Sequence, residues 1–112
     1  MKQSYDFEPK SVEQIVSTGI ITTVIRYDIE KQGDGTYECE EVEYNHKEQL
    51  SEAKDYGPMV STIIRSRYSQ DQVEALTQNY LADPEAYKSE FDKLQQWRNF
   101  AKDTAKRVIN IG

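Results

Sequence analysis

Gly33-Asp34-Gly35 lies between two segments in which apolar and polar residues alternate, and this arrangement restricts the fold more than any other feature of the chain. Tight turns between twisted strands need residues that accept positive φ, and Gly-Asp-Gly supplies them. Before the turn, Ile21, Thr23, Ile25, Tyr27 and Ile29 point one way, while Thr22, Val24, Arg26, Asp28 and Glu30 point the other. After it, Tyr37 and Cys39 are in phase, and the pattern then shifts by one residue to Val42 and Tyr44. Period-two alternation over residues 20–30 and 36–45 predicts an antiparallel hairpin. The phase change predicts a β-bulge around Glu40-Glu41.

Upstream, residues 11–18 read in two ways. Ser11-x-x-Gln14 has the form of a capping box, with Gly19 to end a short helix. Alternatively Val12, Val16 and Thr18 share a strand face, with Thr18-Gly19 as a tight turn. The strand is preferred, because the segment that follows needs a partner on its other side. Residues 1–10 are polar, with Tyr5 and Phe7 alternating, and read as a loose tail or a short edge strand; Pro9 disfavours a central one.

Downstream the period changes to that of a helix. Residues 46–57 read as a polar connector, with His46 in a solvated linker. Pro58 fits the first position of a helix, where its missing N–H costs nothing. Met59, Val60, Ile63, Ile64 and Arg67 follow at helical spacing over residues 58–67. Ser69 and Gln72 form a capping box for a second helix, whose stripe is Val73, Leu76, Thr77, Tyr80 and Leu81. Asp83-Pro84 opens a long third helix with Tyr87, Phe91, Leu94, Arg98, Ala101, Ala105 and Val108 on one face, widened by Trp97 and Phe100. The predicted class is α+β: a three-stranded antiparallel β-meander followed by three α-helices, the last one long. Residues 11–112 are expected to form a single domain.

The chain has 112 residues, 30% of them charged and 37% hydrophobic, so the core must be lean. Eight Tyr, three Phe and one Trp compensate, because each aromatic buries a large area. The net charge of −6 argues against general nucleic-acid binding, which needs a basic surface. That charge is unevenly spread: residues 28–55 hold ten acids and three bases, whereas residues 94–112 hold Arg98, Lys102, Lys106 and Arg107 against Asp103. No apolar run approaches the length of a membrane span, and residues 1–10 lack the apolar core of a secretory signal. A soluble protein made in the cytoplasm is expected.

Little in the sequence points to catalysis or to a cofactor. Cys39 is the only cysteine, which rules out an intramolecular disulfide and any multi-cysteine zinc site. His46 is the only histidine and has no evident partner for general acid–base work. The acids Glu38, Glu40, Glu41 and Glu43 lack the Asp/Asn/Gly loop of a calcium site and read as a solvated edge face. No metal and no cofactor is expected.

Two segments stand out for binding. In Arg65-Ser66-Arg67-Tyr68-Ser69, an arginine pair beside an aromatic suits phosphate or stacking contacts, although arginines at a helix C-terminus also favour the dipole. Trp97-Arg98-Asn99-Phe100 holds the residue types commonest at interface hot spots, although Trp97 also fits a core position. The candidate contact residues are therefore Trp97, Arg98 and Phe100, with Arg65 and Tyr68. They imply a protein partner or self-association without a membrane. A ligand- or nucleic-acid-responsive regulator using the Arg65/Arg67 segment is the alternative.

The Ile25-Arg26-Tyr27-Asp28-Ile29 strand, the Gly-Asp-Gly hairpin, IIRSRYSQDQVEAL and YKSEFDKLQQWRNFAKDTAK together resemble small proteins encoded in bacteriophage or prophage tail regions. The resemblance runs from residue 20 to residue 106. It implies a hairpin followed by a helical tail, a role in tail-fibre assembly or as an accessory, and a place in the bacterial cytoplasm or the virion. It carries over no functional residues.

Overall fold

The computed structural model describes residues 2–111 and is α+β, with four strands followed by three helices. The strands are β1 (Lys2–Tyr5), β2 (Val12–Ser17), β3 (Ile20–Lys31) and β4 (Tyr37–His46). The helices are α1 (Glu52–Arg65), α2 (Gln70–Ala82) and α3 (Pro84–Ile111). The chain divides into two compact units, one ending at Leu50 and the other spanning Ser51–Ile111.

All pairings in the sheet are antiparallel, in the order β1-β4-β3-β2. The expected meander is present as β2, β3 and β4, but the sheet has a fourth strand. Residues 2–5 add to the far side of β4, pairing Gln3 with Cys39 and Tyr5 with Tyr37. The sequence leaves tail and edge strand open because Tyr5 and Phe7 are the only alternating pair there, and Phe7 falls outside the strand. At the β2–β3 turn Thr18 and Gly19 have φ of 49° and 78°, the type I′ geometry that matches strand twist. At the second turn Gly35 has φ 88°, and the Asp34 carboxylate accepts hydrogen bonds from the Thr36 N–H and hydroxyl.

The bulge lies on β3 rather than at Glu40-Glu41. Tyr27 faces Glu40, yet Glu30 faces Glu38, so β3 carries the extra residue. Asp28 absorbs it with φ 53°, a conformation Asp tolerates better than most residues. The bulge moves Glu30 onto the face of Tyr27. The phase change seen in β4 has another cause. Cys39 and Val42 are both buried, and they lie on opposite faces of a regular strand.

In the helical unit, α1 begins at Glu52, so Pro58 lies in its interior rather than at its first position. Ser51 caps it: the Ser51 hydroxyl accepts from the Lys54 N–H while the Asp55 carboxylate accepts from the Ser51 N–H. This reciprocal cap starts the helix upstream despite the proline. The Ser69–Gln72 capping box of α2 is formed as expected. Asp83 accepts from the Ala86 N–H ahead of Pro84, which opens α3. Along α3, Leu94, Trp97, Ala101, Ala105 and Val108 are buried, matching the stripe read from sequence, and α1 contributes Met59, Val60 and Ile63. The Tyr80 and Phe91 rings stack with centroids 4.1 Å apart and join α2 to α3. Leu81, expected on the α2 stripe, is exposed.

Candidate functional site

Within the helical unit, Arg65 near the end of α1 and Arg98 in the middle of α3 line one groove of about 160 Å³. Ser61, Ile64, Gln70 and Val73 complete its lining. Position 98 belongs to the inward stripe of α3, but a guanidinium there stays half-buried rather than entering the core. Neither Arg65 nor Arg98 is paired with a carboxylate among the described residues. The groove therefore combines two uncompensated guanidinium groups with the apolar side chains Ile64 and Val73. No histidine and no acid lines it, so Ser61 has no base to activate it there.

The other candidate residues are placed differently. Trp97 is 6% exposed, and its indole N–H donates to the Ile63 carbonyl at 3.2 Å. The Arg67 guanidinium lies 3.8 Å from the centre of the same ring, and Phe100 stacks on it at 4.8 Å. Trp97 thus packs inside the unit and ties α3 to the end of α1. Phe100 and Tyr68 are half-buried. Of the residues singled out from sequence, the structure brings Arg65 and Arg98 into one groove and gathers Trp97, Phe100 and Arg67 into one stack.

Sequence reasoning missed a polar cluster in the sheet unit. Arg26 is 7% exposed and stands on the face shared by Glu13, Glu41 and Tyr5. Its guanidinium donates to Glu41 at 2.7 Å, to Glu13 at 2.8 Å and to the Lys10 carbonyl at 3.0 Å, and it lies 5.1 Å from the Tyr5 ring centre. The Tyr5 hydroxyl donates to Glu41 at 2.7 Å. Burial acts to lower the Arg26 pKa, but hydrogen bonds to Glu13 and Glu41 outweigh it and raise the net value. The Lys10 contact shows that the segment joining β1 to β2 passes over this face of the sheet. Only a signal for that crossing, absent from local periodicity, would have found the cluster.

His46 also departs from expectation, since it ends β4 and is buried. Its Nδ1 lies 2.6 Å from the Glu48 carbonyl, which only accepts, so Nδ1 carries a proton. Nε2 lies 2.7 Å from the Thr23 hydroxyl. Both ring nitrogens are engaged in holding the strand end. The four acids of β4 do not converge: Glu38 and Glu40 lie on one face, Glu41 and Glu43 on the other. Among the described residues no group of His, Cys, Asp or Glu is arranged to hold a metal ion. Cys39 is buried, and burial raises its thiol pKa, which disfavours the reactive thiolate. No helix among the described residues is long and apolar enough to cross a membrane.

Compared with family models, curated proteins and solved structures, the chain matches none.

Proposed function

We propose that this chain is a nonenzymatic protein-interaction protein, a phage or prophage tail assembly or accessory factor, that captures an acidic segment of a partner protein. One observation carries the reading: Arg65 and Arg98, from different helices, line a single groove without a counter-charge on either. A guanidinium pair recognises carboxylates by paired hydrogen bonds, and Ile64 and Val73 add apolar contact for neighbouring side chains. Such a groove selects an acidic, amphipathic stretch of protein. The tail-region reading rests on the sequence resemblance alone. The alternative, a regulator that grips a ligand or nucleic acid with Arg65 and Arg67 together, is less well supported because Arg67 is occupied by the Trp97 ring.

The experiment is co-expression with the proteins encoded by neighbouring genes, using wild type and an Arg65→Glu/Arg98→Glu variant. The expected result is that one neighbour co-purifies with wild type in a salt-sensitive manner and is lost from the charge-reversed variant, whose circular dichroism is unchanged. Retention of the partner by that variant, or capture of no neighbour at all, removes the proposal.

A further inference from the structure

The two edges of the sheet are built differently. The β1 edge is only four residues long and starts at Lys2, which pairs with Glu38 at 3.0 Å. Short length, charge and proline are the usual means of keeping an edge unpaired. The β2 edge is longer, at six residues, and less protected. Ile15 and Val16 are 50% and 71% exposed, and the strand contains no proline. Its one charged residue, Glu13, is held by Arg26 of its own chain at 2.8 Å.

The direction of the backbone groups on β2 follows from one hydrogen bond. The Arg26 N–H donates to the Ser11 carbonyl at 2.8 Å, in register with the Val12–Ile25 pair. Backbone groups alternate along an antiparallel strand, so those of Ser11, Glu13, Ile15 and Ser17 turn toward β3. Those of Val12, Gln14 and Val16 turn to the outer side, where β2 has no neighbouring strand among the described residues.

We propose that β2 is a self-pairing edge through which two copies of this chain join antiparallel about Gln14, forming one continuous sheet. In that register Gln14 faces Gln14 of the second copy, and Val12 faces Val16. Each of these pairs exchanges both backbone hydrogen bonds, and the valines share a face. Glu13 stands across from Ile15, so like charges are not opposed. Sliding the second copy by one pleat in one direction sets Glu13 against Glu13. Sliding it the other way runs Val12 against Thr18, whose φ of 49° belongs to the turn and not to a strand. The sequence of the edge thus selects a second copy of itself, and a single register. This surface is independent of the arginine groove.

The test is sedimentation equilibrium over a range of concentrations on the full chain and variants. Wild type is expected to dimerise with little sensitivity to salt. Gln14→Lys and Gln14→Glu place like charges face to face and are expected to be monomers with wild-type circular dichroism. An equimolar mixture of the two regains the dimer mass, because opposite charges then meet at the axis. The Arg65→Glu/Arg98→Glu variant dimerises as wild type does, which separates this interface from the groove. Amide exchange of wild type at low and high concentration gives a second reading that needs no variant. The Val12, Gln14 and Val16 N–H groups slow on dimerisation, while those of Glu13 and Ile15 are slow throughout. A wild-type monomer at every concentration, a dimeric Gln14→Lys, a mixture that stays monomeric, or unchanged exchange at Val12, Gln14 and Val16 each overturns the proposal.

Discussion

The Arg67 guanidinium covers the indole ring of Trp97 at 3.8 Å, while the indole N–H donates to Ile63 in the last turn of α1. One side chain of α3 thereby fixes both the end of α1 and the arginine beyond it. Removing a buried tryptophan costs about 3–5 kcal/mol through lost burial and the cavity left behind. Trp97→Ala is expected to lower the stability of the helical unit by that amount in urea unfolding. Arg67→Ala, at an exposed site, is expected to cost about 0.5–1 kcal/mol. A Trp97→Ala protein as stable as wild type refutes the core role.

Arg26 carries the opposite kind of risk. It is buried, and Glu41 beside it is 11% exposed in its side chain. Taking away one partner of a buried ion pair costs about 3–5 kcal/mol, because the remaining charge loses its counter-charge. Arg26→Met is expected to destabilise the sheet unit on that scale. The double change Arg26→Met/Glu41→Leu is expected to recover part of the loss. Chemical denaturation of the two proteins compares them directly, and equal stability of both with wild type contradicts the assignment.

The Tyr5 phenol gives the sheet unit an alkaline limit. Its hydrogen bond to Glu41, and then burial, raise its pKa above the ordinary value of about 10. A raised folded pKa means that the neutral phenol is the stabilising form. Its contribution is complete below the unfolded pKa and is lost as pH rises through the folded one. Thermal unfolding from pH 8 upward is expected to show a decline in wild type that is shallower in Tyr5→Phe. Identical slopes for the two proteins mean that the phenol does not contribute.

Pro58 is a cost built into α1. It lies on an exposed face in the helix interior and offers no N–H to the turn before it. Pro58→Ala is expected to raise the stability of the helical unit by up to about 3 kcal/mol, read as a higher unfolding midpoint. A lower midpoint indicates that the proline shapes a bend on which the packing depends.

Most of the architecture was legible because its signals are local. The alternation around Gly33-Asp34-Gly35, the Ser69–Gln72 box and the Asp83-Pro84 junction each act within a few residues, and each appears in the structure. What escaped depends on contacts distant in sequence. The pairing of Lys2–Tyr5 with β4 joins residues more than thirty positions apart, and no periodicity marks it. The alternation points to a bulge on the wrong strand because two oppositely buried faces imitate a phase change. His46 read as solvated because its partner Thr23 lies across the hairpin. For the candidate site, the sequence nominated Arg65 and Arg98 separately. Their meeting in one groove follows from the packing of α3 against α1, which spacing alone does not give.

The place of β1 beside β4 also sets an order of events. During synthesis the first strand leaves the ribosome with nothing to pair against until Glu38 and Glu40 have followed it. The meander β2-β3-β4 is closed by short turns and can assemble early, whereas β1 must wait for a much larger loop to close. The segment between β1 and β2 is then drawn across the sheet as β1 docks. Of the four strands the first in sequence is thus the last to reach its place, and the Tyr5 hydroxyl meets Glu41 only then.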